Sequence, residues 1–282
     1  MSYRTFTNPH IPNEDTDGWI QWVISKKLLL DVRTNIPEGV CSKCYGGTGK
    51  SHIELESIRN EMGGSNQILK FTRWPTCFDC KDDTVLEGIL PISYSIHDKL
   101  ESAIYRAKND QAYRWLNIAL ASVLNEFLRK HLKCIERKWG SIDIITIVPS
   151  HSGQRHGWDH LAYLIRRVNS WPMPDRWNLE LLTKTSTAVA ANHRDGKPTS
   201  GVFTLTNPEM PLHGKRVLLI DDTFTKGGTL RSAALAIRDA GGSVVAMPIG
   251  RQVRDNDFGS HIICDAFKQV PLFRMDRCAI HQ

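Results

Sequence analysis

The chain has 282 residues and a mass of 31.9 kDa, with 41% hydrophobic and 23% charged residues, a globular composition that excludes a disordered or collagen-like chain. Its formal net charge of +6 fits an anionic ligand but is too small to identify one. The first residues lack the apolar stretch of a secretion signal, and no run approaches the roughly 18 apolar residues of a membrane helix. We therefore expect a cytoplasmic protein without membrane insertion.

Residues 1–90 are predicted to form a small, loop-rich module, because Gly and Pro interrupt them and no helical or strand period is sustained. Two C-x-x-C pairs, Cys41 with Cys44 and Cys77 with Cys80, are separated here by 32 residues. Four thiolates from two such turns can complete a tetrahedral zinc shell, which is structural because no position stays open for water. An iron–sulfur cluster is the alternative. Three cysteines are left as ordinary thiols: Cys134, Cys264 and Cys278.

Two amphipathic helices are predicted within residues 91–140, because apolar residues recur at spacings of three and four on either side of Asn109 and Asp110. The second of these helices ends in a basic cluster: Arg129, Lys130, His131, Lys133, Arg137 and Lys138. Such a cluster could contact single-stranded DNA. The helix dipole alone also favours basic residues at this end, so both explanations stay open.

Residues 141–250 alternate short β-branched runs with helical stretches, the pattern of a parallel α/β sheet flanked by helices. The apolar runs lie at 142–149, 179–182, 216–221 and 243–249, and the helices are predicted at about 157–168 and 228–240. In such sheets ligands bind beyond the carboxyl ends of the strands, so chemistry is expected just after Val148 and Ile220. Residues 251–282 are predicted to form an extension with one short strand at 261–264.

The segment Val217–Thr229, VLLIDDTFTKGGT, joins a buried strand to a loop and a helix. Asp221 and Asp222, at the end of the strand, can accept hydrogen bonds from sugar hydroxyl groups. Amides at a helix N-terminus attract phosphate, and glycine lets the backbone approach it closely. The residues expected to hold that phosphate are Thr223, Thr225, Lys226, Gly227, Gly228 and Thr229. A sugar phosphate fits this arrangement.

This segment resembles the fingerprint by which type I phosphoribosyltransferases bind phosphoribosyl pyrophosphate (PRPP), usually with Mg²⁺. The resemblance implies that Asp221 and Asp222 hold the ribose while the loop holds the 5′-phosphate. A Walker B strand is the alternative, but it requires a phosphate loop elsewhere. The candidate for that loop at 45–51 fails, because Cys44 stands where the motif needs glycine.

Two further segments carry the resemblance. After the strand that ends near Val148, the residues Ser150, His151 and Arg155 are expected to hold pyrophosphate through loop amides and charge. The stretch 184–203 resembles the mobile segment that covers the active site in ComF-like proteins. Its basic residues, which would meet the pyrophosphate as the segment closes, are Lys184, Arg194 and Lys197. Arg194, like Asp221 and Asp222, would also serve catalysis.

A four-cysteine module followed by a PRPP-binding domain is the layout of the ComF family, which is linked to DNA uptake in competence. The resemblance implies a type I phosphoribosyltransferase fold and an enzyme that transfers phosphoribose to an unidentified nitrogen acceptor. Hypoxanthine-guanine enzymes carry a carboxylate where this chain has Thr225, so that subclass is disfavoured. The alternative is a non-catalytic PRPP or nucleotide sensor, or a DNA-handling protein.

Overall fold

The computed structural model of the chain describes residues 3–9, 11, 15–32, 40–48, 76–97, 99–150, 159–185, 196–254, 260, 263–264 and 273–280. The helices are α1 (Thr16–Ser25), α2 (Phe78–Lys81), α3 (Leu100–Asn109), α4 (Leu116–Trp139), α5 (His160–Arg166) and α6 (Gly228–Asp239). The strands are β1 (Gly88–Ile89), β2 (Ser93–Ser95), β3 (Ile144–Ile147), β4 (Leu182–Lys184), β5 (Phe203–Leu205), β6 (Arg216–Phe224) and β7 (Ser243–Gln252). Within this part of the chain, no helix is long and apolar enough to cross a membrane.

Five strands form a parallel sheet in the order β1-β7-β6-β3, with β2 also paired to β7. The sheet is flanked by helices, so the predicted parallel α/β class is confirmed. Parallel strands place their carboxyl ends at one edge, and there β3 ends beside β6, with Ile147 paired to Ile220. The two carboxylates of the motif follow Ile220 directly.

Both faces of the sheet are buried, which explains why β6 reads as a continuous apolar run. Leu218 and Ile220 belong to a core with α1, α3, α4 and α5, whereas Val217 and Leu219 belong to a second core with α6. Successive residues of a strand point to opposite faces, so one apolar run serves both layers. The second core also contains three cysteines: Cys41, Cys44 and Cys80.

Residues 1–90 contribute more to the main fold than the loop-rich prediction suggested. Asp15 caps α1 by accepting a hydrogen bond from the Gly18 amide at 2.9 Å. Trp19 and Trp22 of this helix contact Trp115, with ring centroids 5.9 and 5.4 Å away. The helix is missed by the sequence prediction because its ten residues are short for a period and are surrounded by loops.

The predicted helical pair is confirmed as α3 and α4, separated by a 3-10 turn that the side chain of Asp110 caps. Two strand predictions are wrong. Leu182 begins β4, which pairs antiparallel with β5 outside the main sheet, because the pairing along β3 stops after a single bridge at Trp177. Ile263 and Cys264, the described residues of the predicted strand at 261–264, are helical.

Candidate functional site

A pair of buried carboxyl groups lies near the carboxyl end of β6, which continues past the predicted strand end to Phe224. Asp221 is 9% exposed and Asp222 is 6% exposed. The Asp222 amide donates to Oδ1 of Asp221 at 2.8 Å, and Nζ of Lys108 lies 2.6 Å from Oδ2 of Asp222. Lys108 stands near the end of α3, more than a hundred residues earlier in the chain, so the fold completes this cluster.

The two carboxyl groups differ in protonation. Burial, reinforced by the charge of Asp222, raises the pKa of Asp221 to about 8. Burial also acts against ionisation of Asp222, but the ammonium of Lys108, together with His160 and a hydrogen bond from Thr223, lowers the pKa of Asp222. In turn the charge of Asp222 raises the pKa of Lys108. Near neutral pH the pair therefore offers one protonated and one ionised carboxyl group, which together can donate to and accept from neighbouring hydroxyls.

Two more titratable side chains face this pair. Burial lowers the pKa of His160, at the start of α5, to about 4, so its imidazole is neutral near pH 7. Burial and the charge of Lys108 lower the pKa of Lys184, and the charge of Asp221 opposes that shift. The site is therefore surrounded by two ammonium groups and a neutral imidazole. These are groups that suit an anionic ligand.

The loop after the carboxylates encloses a small cavity. Gly227 has φ +85°, a left-handed conformation that glycine adopts readily, and it precedes α6 without any side-chain cap. A helix start without a side-chain cap is a typical place for an anion to bind. The cavity has a volume of about 90 Å³ and is lined by Asp221, Thr223, Thr225, Lys226, Gly227, Gly228, Thr229 and Leu230.

A second, wider cavity of about 320 Å³ adjoins the end of β3. Ile147 and Pro149 form one wall, and Asp159 and Ala162 of the α5 start form another. Asp159 connects the two walls, because its carboxylate accepts hydrogen bonds from the amides of Ser150 and Ala162, each at 2.9 Å. The start of α5 is therefore tied to the end of β3.

The four paired cysteines come together close to the loop that precedes α6. The sulfur atoms of Cys41, Cys44, Cys77 and Cys80 lie within 4.8 Å of one another, close enough to bind a metal ion. Sγ of Cys44 and Sγ of Cys77 are 3.7 Å apart. With Zn–S bonds of about 2.3 Å, a tetrahedral shell places its sulfurs about 3.8 Å apart. The donor set and its spacing fit zinc.

Two buried arginines join the cysteine cluster to the loop. Arg231, on α6, donates to Sγ of Cys80 at 3.3 Å and also to the carbonyl oxygen of Lys226. Arg251, on β7, donates to the carbonyl oxygen of Cys44 at 2.8 Å and to that of Thr225 at 2.8 Å. The same guanidinium groups thus contact the cluster and hold the loop backbone, so the two sites are mechanically connected.

A carboxylate balances the charge of Arg231. Nε of Arg231 lies 2.9 Å from Oδ2 of Asp83, and both side chains are 2% exposed. Burial disfavours the charge of Asp83, but the nearby Arg231 lowers the pKa of that carboxyl, with help from Lys43 at 3.4 Å. This buried pair fixes the cysteine module against α6.

The structure places the predicted ligand residues as follows. The motif residues from Asp221 to Thr229 surround the smaller cavity, apart from Asp222 and Phe224, and Lys184 lies within electrostatic range of Asp221. Ser150 stands two residues beyond Val148, whose amide donates to the Ile220 carbonyl oxygen at 2.8 Å. Lys197 is exposed. Three predicted residues lie outside the described part of the chain: His151, Arg155 and Arg194.

Sequence reasoning missed Lys108, Arg231 and Arg251. Arg231 had a detectable signal, because a basic residue in the first turn of a helix opposes the helix dipole and calls for a specific partner. Arg251 ends an apolar strand at the ligand-binding edge, which is a weaker signal of the same kind. Lys108 had none, since it resembles any solvated lysine of an amphipathic helix.

The basic cluster at the end of α4 is divided by the fold. Arg129 and Lys130 both contact the carboxylate of Glu126, at 2.7 and 3.2 Å. His131 is buried, with 1% exposure, and Lys133 and Arg137 are exposed. Arg129, Lys130 and Lys138 are exposed as well, so the fold removes only His131 from the exposed face of this cluster and offsets part of its charge through Glu126.

Comparison with models of known protein families finds no match, and comparison with curated proteins finds none either.

Proposed function

We propose that the chain binds PRPP with Mg²⁺ and transfers its phosphoribosyl group to a nitrogen acceptor. The observation that carries this proposal is the buried pair of Asp221 and Asp222, followed after the end of β6 by the glycine-containing start of α6, which has no side-chain cap. A ligand with neighbouring hydroxyls and a phosphate one sugar ring away would satisfy both parts. The motif's resemblance to type I phosphoribosyltransferases supports the same ligand.

The ligand would lie along the carboxyl edge of the sheet. Its 5′-phosphate would accept hydrogen bonds from the amides of Gly228 and Thr229 and from the threonine hydroxyls of the loop. The ribose hydroxyls would contact Asp221 and Asp222. The pyrophosphate would face Ser150 and the ammonium groups of Lys108 and Lys184. The acceptor would enter from the wider cavity at the end of β3, which is large enough for a heteroaromatic ring.

In the reaction, the bond between ribose C1 and the pyrophosphate oxygen breaks and a C1–N bond forms to the acceptor. The proton of the acceptor nitrogen passes to the leaving pyrophosphate. Oxygen ligands suit Mg²⁺, which when bound would neutralise charge on the pyrophosphate. When a cation, or a ribose hydroxyl that donates a hydrogen bond, binds the carboxyl group of Asp221, that group would release its proton. The salt bridge from Lys108 to Asp222 would open or move towards the pyrophosphate, so the ammonium would stabilise the leaving group.

We also propose that the four-cysteine cluster holds a structural zinc ion. A zinc with four thiolates carries a net charge of about −2. The guanidinium groups of Arg231 and Arg251 contact the sulfurs of Cys80 and Cys44 and would offset that charge. Metal binding would thereby position the loop that we assign to the 5′-phosphate.

Calorimetric titration of PRPP with Mg²⁺ tests the ligand. We expect the Asp221→Asn/Asp222→Asn variant to lose at least tenfold in affinity, because the isosteric amides cannot accept charge-assisted hydrogen bonds. Asp143→Asn is the control, since that carboxylate contacts Lys215 and Arg216 at the opposite edge of the sheet. Equal PRPP affinity in the double variant and the wild type would refute the site assignment.

Pyrophosphate release separates an enzyme from a sensor. The wild type is incubated with PRPP, Mg²⁺ and a panel of heterocyclic bases and amines, and the released pyrophosphate is measured. If the wild type releases pyrophosphate with any acceptor and the double variant does not, the result supports the transferase. Tight PRPP binding without turnover on any acceptor would instead favour the sensor.

A further inference from the structure

A second cluster of metal-binding side chains lies away from the paired cysteines. His131 and Cys134 stand three residues apart on α4 and therefore share one face of that helix. Cys278, in the described carboxy-terminal segment 273–280, packs against them. One ligand atom from each of the three residues lies within 4.8 Å of the others. Two thiols and an imidazole are ligands that zinc accepts.

The orientation of the imidazole suits a metal ligand. Nε2 of His131 lies 2.9 Å from the carbonyl oxygen of Met275, a group that can only accept. Nε2 must therefore donate, and in the neutral form of the ring the lone pair then lies on Nδ1. Nδ1 lies 3.9 Å from Sγ of Cys134. A metal-binding histidine commonly donates its other ring N–H to a carbonyl oxygen in this way.

The spacing also fits. Zn–N bonds of about 2.0 Å and Zn–S bonds of about 2.3 Å place nitrogen and sulfur about 3.5 Å apart in a tetrahedral shell. The observed separation of 3.9 Å requires only a small rotation of Cys134. His131 is 1% exposed and Cys278 is 6% exposed, so these two ligands are held by packing, and Cys134 is partly buried.

The geometry points to a second zinc site formed by His131, Cys134 and Cys278, with its fourth position left for a water molecule. The ion would fasten the carboxy-terminal segment to α4. The same segment is already attached to the fold by the Arg274 amide, which donates to Oδ1 of Asp31 at 3.1 Å. The site shares no ligand with the four-cysteine cluster, so each can bind metal without the other.

Metal content of the full-length protein tests this assignment. Protein produced under reducing conditions with zinc, then passed over a chelating resin, should hold two zinc ions per chain by mass spectrometry. Cys278→Ser should hold one, whereas Cys264→Ser, which changes the one cysteine outside both clusters, should hold two. Cys77→Ser/Cys80→Ser should also lose one ion, which separates failure of the paired-cysteine site from failure of this one.

X-ray absorption on the wild type keeps the test independent of variants that misfold. A zinc shell that contains imidazole nitrogen beside sulfur supports the second site, even at one zinc per chain. A shell made only of sulfur would overturn it, as would equal zinc content in Cys278→Ser and the wild type. A disulfide between Cys134 and Cys278 in the reduced preparation would overturn it as well.

Discussion

Arg231 offers the sharpest test of the connection between the cysteine cluster and the loop. Its guanidinium is 2% exposed and contacts Asp83, Cys80 and backbone carbonyl oxygens of both the loop and Gly196. Arg231→Met keeps the length of the side chain and removes its charge and donors. The change removes one donor from a buried carboxylate, a buried sulfur and several carbonyl oxygens, although Asp83 keeps the amides of Val85 and Leu86.

The magnitude follows from the buried pair. Removing one partner of a buried ion pair costs about 3–5 kcal/mol, because the remaining charge stays uncompensated. Lys43 still lies 3.4 Å from Asp83, so we expect the lower end of that range. Loss of an outer-shell donor to a metal ligand lowers metal affinity by about 10- to 100-fold, and we expect zinc affinity to fall by that amount.

The matched control is Arg238→Met on the same helix. Arg238 is exposed and donates to Oγ1 of Thr84 at 3.0 Å, beside the partner of Arg231. An exposed contact of this kind contributes about 0–1 kcal/mol. The free energy of unfolding is measured by urea denaturation at saturating zinc, and zinc affinity by competition with a chromophoric chelator.

A double-mutant cycle isolates the pair. Asp83→Asn removes the carboxylate charge that Arg231→Met would leave buried, so the double variant should be more stable than the sum of the two single losses predicts. Additive losses, within about 0.5 kcal/mol, would contradict the assigned ion pair. A loss in Arg231→Met no larger than in Arg238→Met would contradict the burial argument itself.

Three further predictions concern the carboxylate pair and its loop. Asp221→Asn should become increasingly stable relative to the wild type as pH rises. The folded wild type keeps the Asp221 proton up to a pKa of about 8, whereas the unfolded chain loses it near pH 4. The free energy of unfolding of the wild type therefore falls between these pH values, by at most about 1.4 kcal/mol per pH unit. Urea denaturation at pH 5, 6, 7 and 8 measures this, and a pH-independent difference would rule it out. Gly227→Ala should lower the free energy of unfolding by about 2–4 kcal/mol, because φ is +85° and a Cβ would lie 2.3 Å from the Phe224 ring. The control is Gly214→Ala, at φ +72° in open space, which should lower it by only about 1–2 kcal/mol in the same denaturation assay. Lys108→Met should weaken PRPP binding about tenfold by calorimetry, since two buried carboxyl groups would then face a polyanion without their ammonium, and unchanged affinity would show that the ammonium does not offset them.

The sequence alone was sufficient where neighbouring residues decide the structure. The strand, loop and helix of Val217–Thr229 are consecutive in the chain. Their apolar run, two carboxylates and two glycines therefore already predict a ligand-binding site at the carboxyl ends of the strands. The amphipathic periods of α3 and α4 and the two C-x-x-C turns are local in the same sense. Even α1 left a local signal in its Asp15 cap, although ten residues were too few for the period to be recognised.

Tertiary structure decided every contact between distant parts of the chain. Lys108 reaches Asp222 across 114 positions, and Arg251 reaches Cys44 across 207. The sequence around these residues does not predict such contacts, because they form only when the helices and the cysteine module pack against the sheet. The sequence therefore determined which residues carry chemistry, whereas folding decided the protonation of the carboxyl pair, the attachment of the loop to the cysteines and the meeting of His131 with the carboxy-terminal segment.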